Sequence, residues 1–168
     1  MQNSDIITNL FRFVALVLLQ ALLLNHINFL GYINPYLYII FILVFPFDGN
    51  KSLLIFLSFL LGLSIDIFSD SGGVHAAASV FIAYIRPLAL KFSFGVSYEY
   101  NMIKLNKAPV TERIVYITIM VLLHHFILFI FEIFSLQHIL LILKSTLFSG
   151  VFSTILILCT LLLFSRKN

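Results

Sequence analysis

Residues 62–78 read GLSIDIFSDSGGVHAAA, and they decide the fold because one long apolar run ends there in a carboxylate and the next begins on a histidine. Ser58, Gly62 and Asp66 recur every four residues, which puts them on one face of a helix. Side chains that small let a neighbouring backbone come close, so the face predicts a packing seam that ends in Asp66. His75, Ser79 and Ala83 repeat the spacing on the following run. Gly72 and Gly73, in the SDSGG connection, supply the backbone freedom that an abrupt reversal needs. The stretch therefore predicts a tight helical hairpin. Arg86 returns to nearly the angle of His75 but lies about 16 Å further along the helix, so Asp66 is expected to meet His75 and not Arg86. A charge near hydrocarbon is costly unless paired or wetted. Asp66 and His75 are accordingly expected either to pin this hairpin or to contact a partner.

The medium follows from composition. Of the 168 residues, 61% are hydrophobic and 10% charged, and the mean hydropathy is +1.10. A soluble domain of this size needs far more polar surface, so the chain reads as an integral membrane protein in a single transmembrane domain, residues 1–168. Cys159 is the only cysteine, which excludes an internal disulfide framework and a cysteine metal site. The run Leu10 to Leu24 continues into Asn25 and His26 without a small-residue cleavage pattern and reads as a retained anchor.

A hydrocarbon core of about 30 Å asks for roughly 20 helical residues. Six candidates meet or approach this: Leu10 to Leu24, Ile33 to Phe47, Leu53 to Phe68, Val74 to Leu90, Ile114 to Phe134 and Ile139 to Phe164. The second, bracketed by Pro35 and Pro46, is the weakest and reads as re-entrant or tilted. Positive residues of short loops collect on the cytoplasmic face. With six spans, Arg12, Lys51, Arg86, Lys91, Lys104, Lys107, Arg113, Arg166 and Lys167 fall on or near one side, and only Lys144 does not. Both termini are thus expected in the cytoplasm. The net charge of +3 reflects this bias and needs no nucleic-acid partner. Residues 91–113 form the one sizeable loop, expected in the cytoplasm, with a period-two apolar pattern from Phe92 to Met102 that suggests an extended segment lying on the headgroups or adding to a partner's sheet.

The fifth span carries Thr118, His125 and Glu132 at sevenfold spacing, a polar stripe expected to face the bundle interior, with His124 about 100° away. The adjacent histidines diverge and no HExxH accompanies them, so interior hydrogen bonding is expected and no metal site. On the sixth span Ser145, Ser149 and Ser153, beside Thr146, Gly150 and Thr154, form two small-residue tracks for close packing. Asp70-Ser71-Gly72-Gly73 copies a serine-protease tetrapeptide without the β-barrel scaffold that chemistry requires. Gly62-Leu63-Ser64 with a distant His124 or His125 lacks the following glycine and a third group of an intramembrane dyad. No catalytic residue and no cofactor is expected.

These residues resemble a family signature. Gly62-Leu63-x-x-Asp66-x-Phe68, leading through small residues to Tyr84-x-Arg86-Pro87, is similar to the motif of the rod shape-determining protein MreD family. Residues 62–87 are its distinctive part, and LHHFILFIFEIF, residues 123–134, resembles a variant of one branch. The resemblance implies an all-α fold of about six transmembrane helices, like the substrate-binding components of energy-coupling-factor transporters. It implies a noncatalytic subunit of the elongation complex in the bacterial inner membrane, partnering a periplasmic coiled-coil MreC. Further partners implied are MreB, a SEDS glycosyltransferase and a penicillin-binding transpeptidase in peptidoglycan synthesis. It marks Gly62, Asp66, Gly73, Arg86 and Pro87 as shape-critical. The competing reading is a small-ligand binding or transport subunit, which predicts a cavity lined by Asn25, His26, Asn34, Asp66, His75 and Glu132.

Overall fold

The computed structural model describes residues 3–31, 33–46, 50–95, 105 and 108–164. Its helices are α1 (Asn3–Leu22), α2 (Ile40–Val44), α3 (Lys51–Ser69), α4 (Val74–Phe94), α5 (Val110–Ile133) and α6 (Ile139–Phe164). Five of them, all but α2, are long and apolar enough to cross a membrane. The protein is therefore an all-α, multi-pass membrane protein. Among the described residues the only β feature is an isolated bridge between Phe29 and Ile33.

Each start and stop has a local cause. Asn50 begins α3, its side chain accepting from the N–H groups of Ser52 at 2.9 Å and Leu53 at 3.1 Å. Asp70 ends it in the left-handed region, φ 51°, and Gly73 at φ 100° opens α4. Helix α4 runs to Phe94 and α5 starts at Val110, so the connection expected over 91–113 is shorter at both ends. Of its period-two stretch, Phe92 and Phe94 belong to α4, and Val96 through Met102 lie outside the described residues.

Helices α3, α4, α5 and α6 pack in that order as antiparallel neighbours, and α1 lies against α3. Helices α1 and α3 run parallel, because Asn25, just past α1, donates from Nδ2 to Ser69 Oγ at the end of α3 (2.7 Å). Since Asn50 precedes α3, the chain from Asn25 to Asn50 travels back the length of that helix, about 28 Å for its 19 residues. Among the described residues on the way, only the five of α2 are α-helical. The helix expected from Ile33 to Phe47 is thus replaced by a mostly irregular crossing. Pro35 withholds a backbone donor near its start and Pro46 one near its end. Tyr36 to Leu43 and Phe45 are buried, so this backbone is shielded from lipid by the surrounding helices, the one setting in which irregular chain is tolerated at membrane depth. The six expected crossings stand as five helices and one threaded segment, and the start of α1 lies at the same end of the bundle as the end of α6.

Candidate functional site

The threaded segment has to satisfy backbone groups that a helix would satisfy internally. Two serines of α6 do so on one edge: Asn34 N–H donates to Ser149 Oγ at 3.1 Å and Tyr36 N–H to Ser153 Oγ at 2.9 Å. The match is geometric, since four helical residues rise about 6 Å and two extended residues about 6.6 Å. On the other edge Gln20 of α1, fully buried, donates from Nε2 to Pro35 O at 2.9 Å and accepts from Leu37 N at 2.9 Å. Its amide occupies the place of a neighbouring strand's peptide group. The serine track expected only to pack helices is thus a hydrogen-bonding ladder. Gln20, Tyr36 and Tyr38 escaped the sequence reading, although a lone glutamine inside the apolar run of α1 was a signal available there.

At the centre Tyr38 hydroxyl lies 2.9 Å from His75 Nδ1 and 2.7 Å from His124 Nε2. One hydroxyl proton serves one of these nitrogens, and the other nitrogen donates back. His125 contacts Val121 O through Nδ1 at 2.8 Å and Ser153 Oγ through Nε2 at 3.0 Å. Because a carbonyl only accepts, Nδ1 carries the proton and Nε2 accepts from the serine. Tyr36 packs edge-on against His75 and His125, with ring centroids 5.4 and 5.2 Å apart. Both histidines of α5 face inward, because the threaded tyrosines occupy the wide interior face between α4 and α6. Ser153 and His125 have the contacts of a nucleophile and base, but both are fully enclosed and Ser153 Oγ already accepts Tyr36 N–H. Replacing Ser153 by Ala is expected to cost about 2 kcal/mol, from the stranded Tyr36 N–H, in chemical denaturation of the purified protein. Ser64→Ala, which removes only a bond back to Leu60 O, is the control with little effect.

The residues of the opening stretch answer to backbone. Asp66 Oδ1 accepts from Ser71 Oγ at 2.6 Å and His75 N at 3.0 Å, and Oδ2 accepts from Ala76 N at 2.8 Å. Helix α4 begins on Gly73, which has no side chain to cap it, so Asp66 caps it from the neighbouring helix. Asp66 meets His75 as expected, through the main chain, while the imidazole turns to Tyr38. At the other end, Arg86 donates from Nε to Tyr116 hydroxyl at 3.0 Å and from Nη2 to Phe45 O. A buried cation there faces the carbonyl end of α2. Pro87 lies inside α4 beside it and withdraws the donor that Ala83 O would have received. Arg86→Lys is expected to lose about 1 kcal/mol in the same assay, since an ammonium cannot hold both directions of the guanidinium fork.

Glu132 departs from the expected inward stripe. Thr118 is half-buried and His125 buried, but Glu132, in the last turn of α5, is exposed. Hydration at the end of the bundle relieves it of the need for an interior partner. Of the set expected around a ligand cavity, Asn25 bonds Gln20 at 2.8 Å and Ser69, Asp66 caps α4, His75 packs against Tyr36 and Tyr38, Asn34 donates its backbone N–H to Ser149, and His26 and Glu132 are exposed. Open depressions at the surface include one lined by Gly72, Gly73, Val74, Ala77, Phe131 and Phe134 and another between α5 and α6, and no histidine lines either of these. Among the described residues no three His, Cys, Asp or Glu side chains are placed to hold a metal ion. No family model, curated protein or solved structure matches the chain.

Proposed function

We propose that this protein is a noncatalytic membrane subunit of a bacterial cell-elongation complex of the MreD kind. The observation that carries the reading is where its interior polar groups go. Asp66 holds α4, Arg86 holds the end of α2, and His75 and His124 hold Tyr38, with Gln20, Ser149 and Ser153 holding the chain around it. Such a centre, filled by the chain's own side chains, serves a rigid assembly surface better than a ligand chamber. The Gly62 to Pro87 motif supports the same assignment by resemblance. On this reading the protein sits in the inner membrane with both termini cytoplasmic. It binds an MreC-like periplasmic coiled-coil protein and supports MreB-guided peptidoglycan synthesis by a SEDS glycosyltransferase and a penicillin-binding transpeptidase. The lysine and arginine distribution supports the orientation.

The test is affinity purification of the tagged full chain from its native membranes. Co-recovery of a single-span periplasmic coiled-coil protein, with rods rounding into spheres on depletion, is the expected result. Recovery of an ATPase coupling module instead, in cells that keep their shape, contradicts the assignment and favours the transport reading.

A further inference from the structure

Asp66 and Arg86 are matched by groups of the chain itself, and Arg113 is not. Arg113 is the fourth residue of α5, on the face that also buries Tyr116, Ile117 and Met120, and it is 9% exposed. Its Nε is enclosed without a hydrogen-bond partner. Its two terminal nitrogens are not enclosed, and among the described residues neither makes a hydrogen bond or an ion pair. Tyr116, the next polar group along that face, is held by Arg86 Nε at 3.0 Å. Glu112 is turned about 100° round the helix from Arg113 and forms no ion pair with it. A guanidinium this enclosed is costly to leave without a counter-charge, so the missing partner is an anion from outside the chain.

The surroundings say which anion. Helical side chains lean towards the N-terminus, so Arg113 extends towards the start of α5. That start is uncapped, since Pro109 makes no side-chain bond to it and Arg113 N–H is the first to reach back, to Pro109 O at 3.1 Å. The N–H groups of Val110, Thr111 and Glu112 have no helical acceptor, and they favour negative charge beside the guanidinium. Val110 and Ile114, which flank Arg113 on the helix, are 59% and 40% exposed, an apolar surface suited to acyl chains. The open side of the guanidinium thus borders both hydrocarbon and headgroup. We propose that Arg113 and the start of α5 hold the phosphate of one anionic phospholipid. The two terminal nitrogens match two phosphate oxygens, and the acyl chains lie along Val110 and Ile114. A zwitterionic headgroup brings its own cation, which competes with Arg113 for the phosphate. The inference goes beyond the assembly reading and does not depend on it.

The test uses the full chain, delipidated in a neutral detergent, with phosphatidylglycerol, phosphatidylcholine or inorganic phosphate added. Lipid retention by native mass spectrometry and thermal unfolding are read together. One phosphatidylglycerol is expected to be retained, about 5-fold more tightly than phosphatidylcholine, and to raise Tm. Arg113→Gln removes that preference and leaves the lipid-free protein as stable as before, because the guanidinium holds nothing else in the chain. Lys51→Gln, which takes an equal charge from an exposed side chain at the start of α3, keeps the preference. Equal retention of the two lipids, a preference that survives Arg113→Gln or is lost equally in Lys51→Gln, or a lipid-free protein weakened by Arg113→Gln overturns the proposal. Inorganic phosphate alone stabilising as much as phosphatidylglycerol assigns the site to a free anion and overturns the lipid source. Because no partner protein enters this test, its failure leaves the co-purification result standing, and the reverse holds too.

Discussion

Gly62→Ala unfolds the protein more readily than any other single-methyl addition considered for this bundle, with an expected loss of about 4 kcal/mol. A Cβ at Gly62 would stand 2.5 Å from both Ala76 Cα and His75 O, and 2.6 Å from Ala76 N. All three are backbone atoms of the first turn of α4, so no side chain can swing aside to make room. Overpacking of a core ordinarily costs about 1–3 kcal/mol. Here the helices must also separate, which stretches the bonds from Asp66 to the N–H groups of His75 and Ala76 and adds about 1 kcal/mol of lost capping. Gly150→Ala is the matched control. Its new methyl meets only the tip of Leu122, a flexible side chain, and the expected loss is under about 1 kcal/mol. Thermal unfolding in detergent, read as loss of helical signal or aggregation onset, separates the two. Equal sensitivity would mean that α3 and α4 are not in the close contact described.

Asp66→Asn is expected to cost about 3 kcal/mol while leaving partner binding of the surviving folded protein intact. The carboxylate accepts three hydrogen bonds on two oxygens, from Ser71 Oγ, His75 N and Ala76 N. An amide keeps one oxygen and turns an NH2 group towards a donor it cannot satisfy, and the charge that complements the start of α4 is lost as well. Ser71→Ala removes only one of the three bonds, so about 1 kcal/mol is expected, and combining it with Asp66→Asn should add less than the sum. Co-purification of the partner from membranes, corrected for the amount of folded protein, distinguishes the structural role from a contact role. Undiminished stability with lost partner binding would reverse the assignment of Asp66.

The hairpin was legible in the sequence because its causes are local. Ser58, Gly62 and Asp66 are all buried on one face of α3, and His75, Ser79 and Ala83 answer them on α4. Fourfold spacing of small residues has one physical use in a helix surrounded by lipid, and two glycines in a five-residue connection have one use in a reversal. The threaded segment was legible only as an anomaly, a short run between Pro35 and Pro46. Its partners Gln20, Ser149 and Ser153 lie 15 to 117 positions away. No periodicity within the run encodes a side chain on α6 that accepts from Tyr36 N–H. For the same reason Tyr38 could not be placed between His75 and His124, though both histidines were singled out. Glu132 keeps the stripe's spacing and is still exposed, since sevenfold spacing fixes an angle on the helix and says nothing about whether a neighbour covers that turn.

Among the described residues the chain crosses the bundle as five long helices and one threaded segment, and interior side chains hold that sixth crossing in place. The most direct check is to place single cysteines before α1, after α6 and in the Ser69 to Gly73 connection, in a Cys159→Ser background, and treat sealed membranes with an impermeant maleimide. The two terminal cysteines should react from the same side and the connection only from the other. Terminal cysteines that label from opposite sides would mean that residues 33–46 do not cross, and the interior described here would have to be rebuilt.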